Sequence, residues 1–358
     1  MRTLQKHFFE TGSKQLLAID NISFVVVCLN ISKFLEKATS DIESMRVRGA
    51  GNIARHAVSA IRMVAKHSRA KDGKTLLVEL EDAAKRLLST RPTAVSLANG
   101  VRYVMHRVNM ASMGSMDLER IRSVAVTAAD EFIEESMKAV ERIGEIGSRR
   151  IRDGDVLLTH CHSAAAVEVM RRAWMNGRRF SVYVTETRPR YQGRETATIL
   201  SRLGIPITLI VDSAARYFMN DVDKVVVGAD AIAANGAVVN KIGTSTIATL
   251  AHEARTQFMV ASETYKFSPE TVMGELVTVE ERDATEVVSE NFIRKYPKIR
   301  VRNPAFDVTP PEYVDLIVTE RGVIPPQGAI MIIHELFGSI QPDELLKYQT
   351  YKITEDQQ

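Results

Sequence analysis

The chain has 358 residues, 45% hydrophobic and 25% charged, with a formal net charge of +3, which predicts a soluble globular protein of two domains with a sizeable core. Basic residues are scattered in small groups such as Arg149, Arg150 and Arg152, which argues against a nucleic-acid partner and suits a small anionic substrate held by a few cations. The only two cysteines, Cys28 and Cys161, lie in very different contexts and do not suggest a disulfide framework, and the apolar run 24–29 is too short to cross a bilayer; no membrane partner and a cytoplasmic location are therefore expected.

Residues 1–38 read as an N-terminal extension that does not resolve into one element. From 38 to 66 the pattern is helical, with Ile42, Met45 and Ile53 on one stripe, interrupted at Arg48-Gly49-Ala50-Gly51. The run from Gly49 to Ala54 matches G-x-G-x-x-A, but no strand precedes it and no βαβ unit follows, so a dinucleotide site is not supported. It reads instead as a break that exposes backbone amides beside Arg48, able to hold a phosphate, or as a plain helix corner. A helix over 76–88 ends at Thr90-Arg91-Pro92-Thr93, where Pro92 suits the first turn of the next helix, 94–107. Arg91 then stands at a helix entrance, usable as an anion clamp or simply exposed. Asp117 caps a long helix reaching about 146. Residues 39–150 are thus expected to be a helical domain.

At Arg152-Asp153-Gly154-Asp155 the periodicity changes. Short apolar runs at 156–158, 182–184, 207–210, 225–227, 258–260 and 316–318 alternate with helical stretches at 164–176, 193–203, 213–219 and 244–255. This predicts a mostly parallel, doubly wound α/β domain over 151–345, followed by a polar tail, 346–358. The strand ends share a polar character. They carry Thr159-His160-Cys161-His162-Ser163, Thr185-Glu186-Thr187-Arg188-Pro189, Asp212-Ser213, Gly228-Ala229-Asp230 and Glu263-Thr264-Tyr265-Lys266, and in an open sheet such ends meet in one crevice. Cys161 can serve as nucleophile, acid/base or buried hydrophobe. A metal site is disfavoured, because no second cysteine is near and His160 and His162 diverge. The following helix start is expected to lower the Cys161 pKa. Asp230 is either a cap or catalytic. Asn240-Lys241-Ile242-Gly243-Thr244-Ser245-Thr246 opens a helix and reads as a phosphate seat of side chains and turn amides, without being a P-loop. Lys266 and Arg188 add candidate cations.

Together these blocks, with Ala261-Ser262 and Asn303-Pro304-Ala305-Phe306-Asp307-Val308-Thr309-Pro310-Pro311, resemble the archaeal ribose-1,5-bisphosphate isomerases. These lie within the superfamily of methylthioribose-1-phosphate isomerases and initiation factor 2B regulatory subunits. The resemblance covers about 40–340. It implies a Rossmann-like catalytic domain and an aldose–ketose isomerase that converts α-D-ribose 1,5-bisphosphate to D-ribulose 1,5-bisphosphate in AMP and nucleoside degradation. Cys161 and Asp230 match the family's catalytic pair. Arg48, Gly49, Ala50, Gly51, Arg91, Ser163, Ala164, Ala165, Asn240, Lys241 and Lys266 match its substrate contacts. The resemblance further implies a phosphorylated pentose substrate, no required cofactor or metal, AMP as an activator without a motif to locate it, and a homo-oligomer, a dimer or trimer of dimers. A methylthioribose-1-phosphate isomerase and a non-catalytic regulatory subunit are the alternatives.

Overall fold

The computed structural model describes residues 31–274 and 276–338. Cys28, the run 24–29 and the polar tail 346–358 lie outside the described residues. Among those described, the chain opens with five long helices: α1 (Ile31–Glu43), α2 (Ala50–His67), α3 (Gly73–Thr90), α4 (Val95–Gly114) and α5 (Leu118–Ser148). Apolar side chains recur every three or four residues and meet in one core, with Ile53, Ala57 and Ile61 of α2 packed on Leu76, Leu80 and Leu87 of α3 and Leu97, Val101 and Met105 of α4. Leu35, Ala38 and Ile42 of α1 join this core, so ordered structure reaches into the stretch read as an extension. Asp72 and Asp117 accept the Thr75 and Arg120 amides at 2.8 and 2.7 Å, capping α3 and α5. Pro92 is not in the first turn of α4; it precedes it, and Ala94 stands at the N-cap.

Strands then alternate with helices: β1 (Val156–Thr159), α6 (Ala164–Met175), β2 (Ser181–Thr185), α7 (Gln192–Arg202), β3 (Ile207–Ile210) and β4 (Lys224–Val227). In place of a single helix at 213–219, the chain makes only the four-residue α8 (Ala215–Phe218) between two 3-10 turns. Next come β5 (Ala231–Ile232), β6 (Val238–Lys241), α9 (Thr244–Ala254), β7 (Gln257–Ala261), α10 (Glu290–Lys295), β8 (Phe306–Thr309), β9 (Leu316–Thr319), β10 (Gly322–Ile324) and α11 (Ala329–Phe337).

The main sheet has the order β10-β9-β7-β4-β1-β2-β3, parallel except for the edge strand β10. Its strands are continuous apolar runs because both faces are covered. Val225, Val227 and Ile317 sink into one core, and Leu157, Val182 and Val226 into the other. From β1 the chain winds outward through β2 and β3, then crosses to β4 on the other side of β1. The carboxyl ends of β1 and β4 therefore splay apart at a topological switch point, where open α/β sheets hold ligands.

A second, antiparallel sheet, β5-β6-β8, has no signature in the local sequence pattern. Its strands are short, and β8 pairs Asp307 with Asn240 from far along the chain. The long helix α5 belongs to both halves of the molecule, with Ile121 and Ala125 in the helical core and Ile143 packed with Leu157 and Val169.

Candidate active site

The residue just beyond β1 sets the site. Cys161 has φ 68, a left-handed conformation uncommon outside glycine and frequent at functional turns. Threonines from the neighbouring strand and helix hold it there. The Cys161 amide donates to Thr187 Oγ1 at 2.9 Å, and Thr196 Oγ1 donates to the Cys161 carbonyl at 2.9 Å. The Thr196 hydroxyl has then spent its one proton, so His162 Nδ1–H donates to it at 3.0 Å, and neutral His162 carries its lone pair on Nε2. Buried His160 engages both ring nitrogens: Nε2–H donates to the Ile242 carbonyl at 2.8 Å, and Nδ1 lies 2.6 Å from Thr185 Oγ1. His160 thereby ties the end of β1 to the turn after β6. Ser163 caps α6 by accepting the Ala166 amide at 3.3 Å.

Asp230 reaches the same crevice from β4. Its amide donates to the Val239 carbonyl at 2.9 Å, so the β5–β6 hairpin lays Asp230 beside Asn240 and Lys241. A cavity of about 1730 Å³ runs between the sheet ends and the helices, and Cys161, Asp230, Lys241, Arg48, Arg91 and Lys266 all line it. The expected break at Arg48 is real: Gly49, at φ 83, caps α2 and leaves the first-turn amides without intrahelical carbonyls. Ala50, Gly51, Ser163, Ala164 and Asn240 also face the cavity, whereas the Ala165 side chain is buried against the sheet and does not. Gly51 has to be small, since a Cβ there would sit 2.7 Å from the Tyr265 hydroxyl. That hydroxyl donates to Glu263 at 3.1 Å, and Glu263 pairs with Lys266 at 2.7 Å. One contact thus links α2 to the carboxyl end of the sheet.

Electrostatics correct one expectation. The Cys161 thiol is not lowered by its helix. Burial pushes it up to about 12, against the pull of Lys241 and the His162 amide, with Asp230 pushing it further. Burial likewise raises the Asp230 carboxyl, opposed by Lys266, Lys241, Arg91 and Arg282. Lys241 is lowered by burial and by Arg282, although Cys161 and Asp230 support its charge. Burial thus favours the thiol at Cys161 and makes the Asp230 carboxyl harder to ionise than a solvated aspartate.

Two further expectations change. Arg188 does not reach the cavity; its guanidinium donates to the Tyr191 hydroxyl at 2.6 Å and the Val287 carbonyl at 3.2 Å, and Arg190 lines the cavity instead. The amides at the start of α9 are not an open phosphate seat, because Asp307 fills it, accepting Gly243 N at 2.7 Å and Ser245 N at 3.1 Å. Only the Asn240 and Lys241 side chains of that motif face the cavity. Sequence reasoning also missed Arg55, Arg190 and Arg282, three more cations on the cavity wall.

Burial holds Asp307 at about 6, the backbone N–H bonds opposing it less strongly. A carboxyl raised on folding binds more protons in the native than in the unfolded state, so stability declines as pH climbs from about 4 to 6. Asp307→Asn keeps an acceptor for the cap and removes this decline. Urea melts at about pH 4.5 and 7 should show wild type losing roughly 1–2 kcal/mol relative to the variant, a figure discounted for partial exposure; parallel curves for the two proteins would contradict the assignment.

The sequence profile of the initiation factor 2 subunit family matches residues 46–326. The chain is 56% identical over 298 residues to a Thermococcus kodakarensis protein named ribose 1,5-bisphosphate isomerase, an alignment covering 83% of this chain and 92% of that one. It is 36% identical over 327 residues to a Pelotomaculum thermopropionicum protein named methylthioribose-1-phosphate isomerase, covering 88% and 89%. Among solved structures, the translation initiation factor eIF-2B of Pyrococcus horikoshii shares the fold with a TM-score of 0.71 and 31% identity, covering 83% of this chain and 98% of that one. With most of its length matched, the chain belongs to the initiation factor 2 subunit family.

Proposed function

We propose that the protein is a ribose-1,5-bisphosphate isomerase that uses Cys161 and Asp230. The observation that carries the reading is their meeting in one cation-ringed cavity, in a chain 56% identical to a protein of that name. The anomeric phosphate blocks a free aldehyde, so the ring must open with the phosphate in place. Asp230, as the acid, gives its proton to the ring oxygen as the C1–O bond breaks. Cys161, as the thiolate, takes the C2 proton, leaving a C1=C2 enol phosphate. The proton of the C2 hydroxyl returns to Asp230, and Cys161 delivers its proton to C1, giving the ketone at C2 with both groups restored. The conversion is redox-neutral and calls for no redox cofactor.

Lys241, the cation that lowers the thiol pKa most, supports the thiolate. The cavity-lining cations Arg48, Arg91, Lys241 and Lys266 suit a substrate phosphorylated at both ends. Among the described residues no helix is long and apolar enough to cross a membrane. The assembly we propose is a homo-oligomer working in the cytoplasm, with AMP as an activator.

A methylthioribose-1-phosphate isomerase is the second reading, favoured by the relative at 36% identity. Parallel incubations with ribose 1,5-bisphosphate and methylthioribose 1-phosphate, followed by phosphorus NMR, separate the two. Conversion of the bisphosphate supports the proposal. Conversion of the methylthio sugar alone rejects it, and no conversion by folded protein points to a binding role.

A further inference from the structure

Between the 3-10 turn Pro269–Met273 and β8, the chain makes an excursion that includes the short helix α10 and brings Arg282 to the cavity wall. A short backbone ladder fixes its first part. Ala305 N donates to the Glu280 carbonyl at 2.8 Å, Arg282 N donates to the Asn303 carbonyl at 2.9 Å, and Glu281 bridges Pro304 between them. Residues two apart in extended chain face the same way, so Glu280 and Arg282 project together.

Glu280 joins two guanidinium groups. One oxygen accepts from Arg91 Nη2 at 2.5 Å, and the other accepts from Arg282 Nε at 3.0 Å. All three side chains are largely buried, with 12, 10 and 18% of Arg91, Arg282 and Glu280 exposed. Both arginines line the cavity, and the buried Arg91 Nε has no hydrogen-bond partner within the protein. The Phe306 ring lies 5.7 Å from the Arg282 guanidinium and 4.6 Å from Lys241 Nζ, so both cations sit against this ring. A guanidinium held by one carboxylate keeps its remaining N–H groups aimed in a fixed direction, and planar forks suit a phosphate.

We propose that Arg282 contacts the substrate and that Glu280 positions it, locking Arg91 and Arg282 into a two-guanidinium clamp for the C1 phosphate. This rests on the isomerase reading. The C1 end is the one assigned because both arginines line the cavity with Asp230 and bear electrostatically on it, the group that acts at the ring oxygen bonded to C1.

Calorimetry with ribulose 1,5-bisphosphate and with ribulose 5-phosphate, which lacks the C1 phosphate, tests the clamp without requiring turnover. Arg282→Gln should weaken the bisphosphate about 10- to 100-fold and leave the monophosphate within about twofold. Arg282→Lys, which keeps the charge and loses the fork, should recover only part of that loss and serves equally where the glutamine variant folds poorly. Equal weakening of both ligands, or none, overturns the assignment. For Glu280→Gln, KM for ribose 1,5-bisphosphate should rise about 3- to 10-fold with kcat little changed, as expected when a binding group loses its orientation. In an Arg282→Gln background the same change should matter less. A lower KM would mean that Glu280 merely offsets positive charge, and the positioning role would be wrong. Because ligand binding is read separately from conversion, a protein that binds the bisphosphate through Arg282 without isomerising it would reject the activity and keep the clamp.

Discussion

Cys161→Ala should abolish isomerisation, with turnover falling about 10²- to 10⁴-fold, the range over which a positioned acid/base group contributes. Binding of ribulose 1,5-bisphosphate, followed by the ligand-induced rise in melting temperature, should survive, because the cations that hold the phosphates are untouched. Near-wild-type turnover of the alanine variant would end the proposal. The pH dependence gives a second check. The proposed mechanism needs the carboxylic acid at Asp230 and the thiolate at Cys161. Burial favours the acid at Asp230 but opposes the thiolate, holding the thiol up at about 12. The form of the pair with its single proton on Cys161 carries the same number of protons as the reacting form, with that proton on Asp230. Between the two pKa values, the competent fraction is therefore small and constant. We expect kcat/KM to be flat from about pH 7 to 9, where the substrate phosphates are also fully ionised. A unit rise across that interval would show instead that the thiol loses its proton to solvent before reaction.

Gly193→Ala should be the most damaging single methyl in the catalytic half. A Cβ at Gly193 would lie 1.7 Å from the Thr185 carbonyl oxygen and 3.0 Å from Thr187 Oγ1. The obstacle is backbone at the end of β2, which cannot rotate away as a side chain could. Relief requires α7 to lift off the strand, and overpacking of this severity costs about 3 kcal/mol or more. Activity should fall along with stability, since Thr187 holds the Cys161 amide and Thr196 of α7 holds its carbonyl. Urea denaturation and an activity assay on the same preparation check both effects. A variant with wild-type stability would mean that α7 sits farther from β2 than described.

The parts that were legible in sequence share a cause. Continuous apolar runs announced the six parallel strands, polar residues at their carboxyl ends singled out Cys161 and Asp230, and the turn that opens α9 singled out Lys241. What escaped were features created by tertiary pairing. The sheet β5-β6-β8 depends on Asp307 meeting Asn240, a register that no local pattern encodes. The same pairing fills the start of α9 with a carboxylate, which is why the turn from Gly243 to Ser245 was misjudged as open. Arg282 and Glu280 lie on an aperiodic excursion, where charged residues look merely solvated. The Cys161 pKa was misjudged because a helix start is visible in sequence, whereas the depth of burial is not.

The cavity is built from both halves of the molecule. Arg48 and Arg91 come from the helices, and Cys161, Asp230 and Lys241 from the sheet. A sugar with a phosphate at each end, bound as proposed, would be a removable cross-link between two separately cored bodies. Saturation at 100 times Kd would add about 2.7 kcal/mol to the folded state, comparable to a disulfide. On the proposed function, the protein's resistance to heat and proteolysis should rise with its supply of bisphosphate.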